Sequence, residues 1–459
     1  MKKIKSLIFW VFIFCIFSLN LWCNGGGEEA APMKSGEKAA LYSAIQSFVG
    51  KWWNGSDLFP DPCGWTPIEG VSCDLFDEFW YVTELSIGSL HENSLNCAQY
   101  ADFSPHLFAL SHLKSLLFFN CFTTLRLRPI SIPARSWGAL SANLESLEFR
   151  SNPGLKGRIP PSLGELKSLK SMVLVENGLS GELHSFIGNL KELERLNLAG
   201  NSFVGQIPHS LGGLNRLLIL DLSRNSLSGP LTLSFGGMVS LLKLDLSYNI
   251  LQGNIPKSLG NLKSLTLLDL SNNRLRGGIT KSLENLEFLQ ELVLSNNPIG
   301  GGLMELQWGR MMSLAALELS NASLTGGIPE SMARLRGLRF LGLNNNMLIG
   351  EIPSNLASLP NVGAMYLHGN NLTGELEFSA WFYGKMGRRF GAWDNPNLCY
   401  RAQTSHVPKG VKQCQKDVMR FLKFGDSKPL VSLGSPLLVS SCVRNLVFVM
   451  FIVSNSLYI

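Results

Sequence analysis

From Leu144 onward, apolar residues recur in a fixed unit, LxxLxLxxNxLxGxIPxxLGxLxx, that returns every 24 or 25 residues. Its Asn stands at 152, 177, 201, 225, 249, 273, 297, 346 and 370, with Ala322 in the missing slot. A Gly follows that slot by four residues at 181, 205, 229, 253, 277, 301, 326, 350 and 374. An Ile-Pro pair recurs at 159–160, 207–208, 255–256, 328–329 and 352–353. Degenerate copies begin earlier, at Val82, Leu85 and Ile87 and again at Leu113, Leu116, Phe118 and Cys121. Within the xLxL segment apolar and polar residues alternate with period two, which predicts a short strand with one face buried. Gly marks a tight turn after each strand, and Ile-Pro is expected to start an extended return on the opposite side.

One such unit cannot bury its own Leu side chains, whereas stacked units share a continuous core. Self-similarity at this period, with Asn in a fixed register, is the leucine-rich repeat. The expected fold is an α/β solenoid, a horseshoe of ten or eleven units with a parallel β-sheet on its concave face. The Asn amides are expected to bond the backbone of adjoining turns. Ala322 carries no amide, so local softening is expected at its turn. End units expose a Leu core and need caps. An apolar-periodic helix over Ala39–Trp52 with the loop from Cys63 to Asp74 supplies the first, and Asn395 through Cys414 the second. The expected organisation is a signal peptide at 1–23, an N-terminal cap at 24–81, repeats at 82–378, a C-terminal cap at 379–415 and a basic tail at 416–459.

Composition agrees with the repeat and relocates the charge. The chain of 459 residues holds 80 Leu and 45 Gly, and most of both belong to the repeated unit. Formal net charge is +6, which would suggest a nucleic-acid partner were it spread over the body. It is not: residues 24–400 hold 29 basic and 32 acidic side chains, so no nucleic-acid surface is expected. Lys2, Lys3 and Lys5 precede the uncharged run Leu7–Leu21, the form of a secretory signal peptide cleaved within Leu21–Gly26. At the other end, Leu446–Val453 is too short for a comfortable ~30 Å membrane span. Gly425-Asp426-Ser427 followed by a polar spacer and a hydrophobic tail fits a lipid-anchor signal better, with a single span or no anchor as the alternatives. With either anchor, no cytoplasmic domain is expected.

Cys15, Cys23 and Cys442 fall in these terminal segments. The remaining Cys63, Cys73, Cys97, Cys121, Cys399 and Cys414 read as three disulfides in an oxidising compartment. Sequence neighbours suggest Cys63–Cys73, Cys97–Cys121 and Cys399–Cys414. No CxxC or HxxxH spacing supports a metal site, and no cofactor is expected. Nor is there a GxSxG, Walker loop or HExxH, so no enzymatic activity is expected. The column Asp221–Asp245–Asp269 comes from the repeat's own LDLS pattern and is read as solvated and structural, with no pocket to raise a pKa. Apolar or aromatic departures on the outward strand positions say more. Val173, Val175 and Arg195 toward the first units, and Phe340, Tyr366 and His368 in the last, form the candidate binding surface. Asn54, Asn321 and Asn371 head N-glycosylation sequons, and a glycan on Asn321 would direct ligands to the first units or the last two.

The G-x-I-P repeat resembles the plant extracellular type. The cap segment Trp53–Cys73, Leu116–Cys121 (LLFFNC), Leu144–Pro153 (LESLEFRSNP) and Tyr383–Asn397 (YGKMGRRFGAWDNPN) resemble a narrower group, the Piriformospora indica-insensitive protein 2 family. That resemblance covers about Glu37 to Cys414. It implies a kinase-less protein at the outer face of the plasma membrane, linked to growth promotion by a root-colonising fungus. Such a protein would bind an apoplastic peptide, glycan or protein and signal through a membrane receptor kinase. The competing expectation is a soluble cell-wall protein that inhibits a microbial polysaccharide hydrolase.

Overall fold

The computed structural model describes residues 31–89, 95–123, 129–401 and 409–414. The expected signal peptide and C-terminal tail, with Cys15, Cys23 and Cys442, lie outside the described residues. The first helix runs Ser35–Val49 rather than Ala39–Trp52. Ala40, Leu41, Ala44, Ile45, Phe48 and Val49 form its buried face, and Gly50 ends it at φ 108°. The Ala39 start missed the first turn because Glu37, though charged, is buried there: its carboxylate accepts the Val82 N–H at 3.3 Å.

The helix packs against a 14-stranded sheet. That sheet opens with an antiparallel hairpin, Val71–Phe76 against Phe79–Gly88, turned through left-handed Asp77 and Glu78. All later neighbours pair in parallel, one strand per repeat, from Ser115–Phe119 to Phe390–Gly391. Inward side chains fall into register as Leu147, Met172, Leu196, Leu220, Leu244, Leu268, Leu292, Leu317, Leu341 and Met365, each fully buried. In the first units Phe replaces Leu: Phe118 stacks on Phe149 at 5.3 Å and meets Phe48 of the cap helix at 4.6 Å. Aromatic packing thereby joins cap to solenoid.

The Asn column does what its register requires. Asn249 Nδ2 reaches the carbonyls of Leu222, Leu246 and Ser247 at 3.0 to 3.2 Å, and its Oδ1 accepts the Leu227 N–H at 2.9 Å. Asn225, Asn273, Asn297, Asn346 and Asn370 each bond the same three carbonyl slots. The residue before each is left-handed, as at Arg224, Tyr248 and Asn272, so the chain leaves the sheet at one angle every turn. Asn395 continues the ladder into the cap, donating to the carbonyls of Leu367 and Ala392.

The return path differs from the extended run expected after Ile-Pro. Extended backbone comes before that pair, in short strands such as Ser202–Gly205 and Ile250–Gly253 that build a second sheet along the side. The turn Gly within them is left-handed, as at Gly253 (φ 84°). After Pro160, Pro208, Pro256, Pro329 and Pro353 the chain instead winds into a one-turn 3-10 helix. Proline presets φ for entry to that turn and has no N–H to leave unpaired.

The second sheet is in two parts, six strands ending at Arg274–Leu275 and five beginning at Thr325–Gly326. The gap coincides with Gly300–Gly302 and with Ala322. Lacking a side-chain carbonyl at 322, Ile299 N–H turns to the Asn297 carbonyl and Gly300 N–H to that of Ala322, both at 2.9 Å. A buried carboxylate mends the irregular return: Glu284 accepts the Gln307 N–H at 2.7 Å and lies 3.5 Å from Arg310. Three disulfides staple the ends, Cys63–Cys73 and Cys97–Cys121 at the start and Cys399–Cys414 at the finish.

Candidate functional site on the concave face

Strand register sorts the outward side chains into columns. One runs Arg195, Ile219, Lys243, Leu267, Glu291, Ala316, Phe340, Ala364. The next runs Glu148, Val173, Asn197, Asp221, Asp245, Asp269, Val293, Glu318, Gly342, Tyr366. The expected binding residues divide accordingly. Arg195 is exposed and Val175 half-buried, but they share no cluster with the last-unit aromatics. Val173 is not the wet apolar group expected: it points outward yet is only 2% exposed, set between Glu148 and Asn197.

Phe340, Tyr366 and His368 do come together. Ring centroids lie 5.9 Å apart from Phe340 to Tyr366 and 6.1 Å from Tyr366 to His368. A fourth ring, Trp393, stacks on His368 at 4.1 Å and 15°. All four side chains are half-buried, a rigid stripe crossing the last turns of the sheet. His368 Nδ1 is buried without a hydrogen-bond partner, and burial holds the imidazole pKa below its ordinary value against the opposing pull of Asp394. The sequence pattern missed Trp393, Ile219 and Leu267. A signal for the first existed: Phe390-Gly-Ala-Trp-Asp-Asn395 keeps the strand-to-Asn frame, and Asn395 follows Asn370 by 25 residues.

The acidic column also departs from expectation. Asp221 Oδ1 accepts both the N–H and the hydroxyl of Ser223, at 3.1 and 2.7 Å, and Asp245 does the same with Ser247. Asp269 accepts the Ser271 N–H at 2.8 Å. The column is structural, as read, but not solvated: burial, aided by repulsion from Asp221 and Asp269, pushes the Asp245 carboxyl up to about 6. Burial also raises Asp269 and Glu318. Lys243 bridges the column, 3.7 Å from both Asp221 and Asp245. These carboxylates are committed to tying down strand ends.

Asn54, Asn321 and Asn371 are exposed, Asn321 in the left-handed slot before Ala322. Among the described residues, no group of three or more His, Cys, Asp or Glu side chains is arranged to hold a metal, and no helix is long and apolar enough to cross a membrane.

Known proteins share this architecture. Piriformospora indica-insensitive protein 2 of Arabidopsis thaliana is 56% identical over 171 residues, 36% of this chain and 39% of that protein. Among solved structures, the plant peptide hormone receptor RGFR1 in complex with RGF2 superposes with TM-score 0.58 at 34% identity, covering 64% of this chain and 45% of that one. The Arabidopsis receptor kinase HAESA, in complex with the peptide hormone IDA and the co-receptor SERK1, gives 0.59 at 28%, covering 80% and 62%. The chain thus spans less than two thirds of the length of each. A family model described as a leucine-rich repeat region matches residues 143–386, just over half of the chain. The chain belongs to the leucine-rich repeat family, and within it bears the resemblance to Piriformospora indica-insensitive protein 2 that its cap and early repeat segments suggested.

Proposed function

We propose that this chain is a non-enzymatic recognition protein of the plant cell surface, binding an apoplastic peptide or protein through the concave face of its last repeats. The observation that carries this reading is the stripe Phe340–Tyr366–His368–Trp393, four half-buried rings brought together across the last turns of the concave face. Rigid half-exposed aromatics are what interfaces concentrate as binding energy. A solved neighbour that binds a peptide hormone together with a co-receptor supports a ligand of that class and a membrane kinase as signalling partner. The name of the relative supports a role in the response to a root endophytic fungus. The signal-like leader and the anchor-like tail support the outer face of the plasma membrane, and the sequons support a glycoprotein whose Asn321 glycan keeps ligands to the last turns.

Tagged protein purified from roots with and without endophyte tests the reading. Phe340→Asp with Tyr366→Asp should abolish specific partner recovery while the melting temperature stays close to wild type. Recovery undiminished in the double variant would exclude this face. Release into the wall fraction with inhibition of a microbial hydrolase would favour the inhibitor instead.

A further inference from the structure

The rim beside the first outward column changes character along the stack. Backbone hydrogen bonds place Lys114, Glu145, Lys170, Glu194, Leu218, Leu242, Thr266, Gln290, Ala315, Arg339 and Gly363 in one line, each after Lys114 donating its N–H to the carbonyl of the one named before it. Early cations on this line are neutralised: Lys114 by Asp74 at 2.7 Å and Lys170 by Glu145 at 2.8 Å. At the far end they are not. Arg339 directly precedes Phe340, whose strand partner is Ala364. Arg388 and Arg389 directly precede Phe390, whose partner is Met365. Neighbouring strands stand about 4.8 Å apart, so two cationic turns flank one middle turn in which Gly363 and Ala364 carry nothing larger than a methyl group. The result is a notch about 10 Å across, two strand spacings, with guanidinium groups on both sides. Arg336 and Lys385 extend it along the middle turn: the Arg336 carbonyl accepts Asn361 Nδ2 at 2.8 Å, and Lys385 Nζ donates to the Pro360 carbonyl at 3.3 Å. Arg336, Arg339, Arg388 and Arg389 are exposed, and the ion pairs among the described residues include none of these five cations. Of the neighbouring carboxylates, Glu318 accepts the Ser320 N–H at 2.9 Å and Asp394 acts electrostatically on the His368 imidazole.

We propose that this notch receives acidic side chains of an extended peptide segment whose apolar residues lie on Phe340 and Tyr366. The proposal rests on the reading above, that the last repeats bind a peptide or protein, and adds the ligand's chemistry. Guanidinium groups bind carboxylates in fixed, bidentate geometry; Arg389 spends one N–H on the Lys385 carbonyl at 3.0 Å, and none of the notch guanidinium groups meets a carboxylate of this chain among the described residues. In an extended ligand, side chains two residues apart stand about 6.6 Å from one another, so an acid in the notch delivers its neighbour to the Phe340–Tyr366 rings.

The test uses the secreted chain and a panel of short synthetic peptides that carry Asp or Glu two residues before Leu or Tyr. The same peptides with Asn or Gln, and an oligogalacturonate as a polyanionic glycan, complete the panel. The best acidic peptides should bind at least about tenfold more tightly than their amide counterparts. That difference should vanish in Arg339→Glu/Arg388→Glu, persist in Arg339→Lys/Arg388→Lys and shrink at high salt. Equal binding of acid and amide peptides, no binding by any peptide, or stronger binding of oligogalacturonate than of every peptide overturns the proposal. Loss of peptide binding in Phe340→Asp/Tyr366→Asp with none in the charge-reversal variant removes the notch and leaves the aromatic face standing.

Discussion

The Trp393 indole lies flat on the His368 imidazole, 4.1 Å away, because Gly391 beneath them has no Cβ. A methyl group at 391 would sit 2.7 Å from Trp393 Cζ3 and 3.0 Å from His368 Nδ1. Gly391→Ala should therefore push the stack apart and cost about 1–3 kcal/mol, the usual penalty of overpacking. Urea unfolding would measure the loss and near-ultraviolet circular dichroism the changed Trp environment. An unaltered spectrum and midpoint would show that the rings are not wedged against this backbone.

Asp245 gives a pH signature of definite sign. Its ordinary pKa of 3.8 is raised in the folded chain to about 6. The folded state therefore holds a proton that the unfolded state has lost between those values, and the favourable contribution, full below the lower value, disappears as pH rises through the upper one. Asp245→Asn keeps an oxygen for Ser247 and removes the charge. It should stabilise the protein at pH 8 by an amount on the order of 1–3 kcal/mol, with the advantage gone by about pH 4. Denaturant midpoints of both proteins at the two pH values check this; an advantage equal at both would refute it.

The Asn ladder makes a quantitative prediction. Asn249→Ala strands the Leu227 N–H in the core and strips donors from three carbonyls. A loss of about 2–4 kcal/mol is expected, since each buried unmade hydrogen bond costs about 1–3. Loss of less than half that would mean water or backbone movement replaces the amide.

The Ala322 turn provides the counterpart already built in. Amides at 299–302 should exchange with solvent faster than those at 251–254, where Asn273 Oδ1 accepts the Leu251 N–H at 3.0 Å. Hydrogen exchange followed by mass spectrometry reads this directly, and uniform protection across 290–350 would contradict it.

The terminal staple should matter in proportion to the chain it closes. Cys399 and Cys414 are 15 residues apart, for which loss of the bridge in a double Ser variant costs about 3 kcal/mol. Thermal melting under oxidising and reducing conditions tests it; identical melts would mean the cap holds without the bond.

Much of this architecture is legible in the sequence because it is set by local spacing. Period-two alternation places every inward Leu, and the Asn frame marks each exit from the sheet. The Cys97–Cys121 bridge is not set by that spacing: the strands before the two cysteines, Phe79–Gly88 and Ser115–Phe119, pair at an offset of 31 residues, and the bridge spans 24. What the pattern hides are effects between turns. Val173 reads as exposed along the chain but sits between two longer side chains from neighbouring strands. The Asp column reads as wet until Ser223 and Ser247 fold back on it and neighbouring carboxylates crowd it. Trp393 belongs to a unit whose Leu residues have become Phe390 and Ala392, so the eye passes from repeat to cap one turn too soon.

The divided second sheet has a consequence for how the molecule comes apart. In a stack of repeats each unit is held chiefly by its neighbours, so cooperativity is only as strong as the weakest junction. Between Leu275 and Thr325 the lateral strands stop, leaving the Gly302–Thr325 bridge and single backbone hydrogen bonds, Gly278 to the Ile299 carbonyl and Gly300 to that of Ala322. The front of the solenoid, sealed by two disulfides, and the rear, carrying the aromatic stripe, are thereby coupled through the concave sheet and the shared core, with less lateral support than elsewhere. Under stress they should melt as two blocks rather than one, and the glycine run at 300–302 is where a protease would first find the half-open chain.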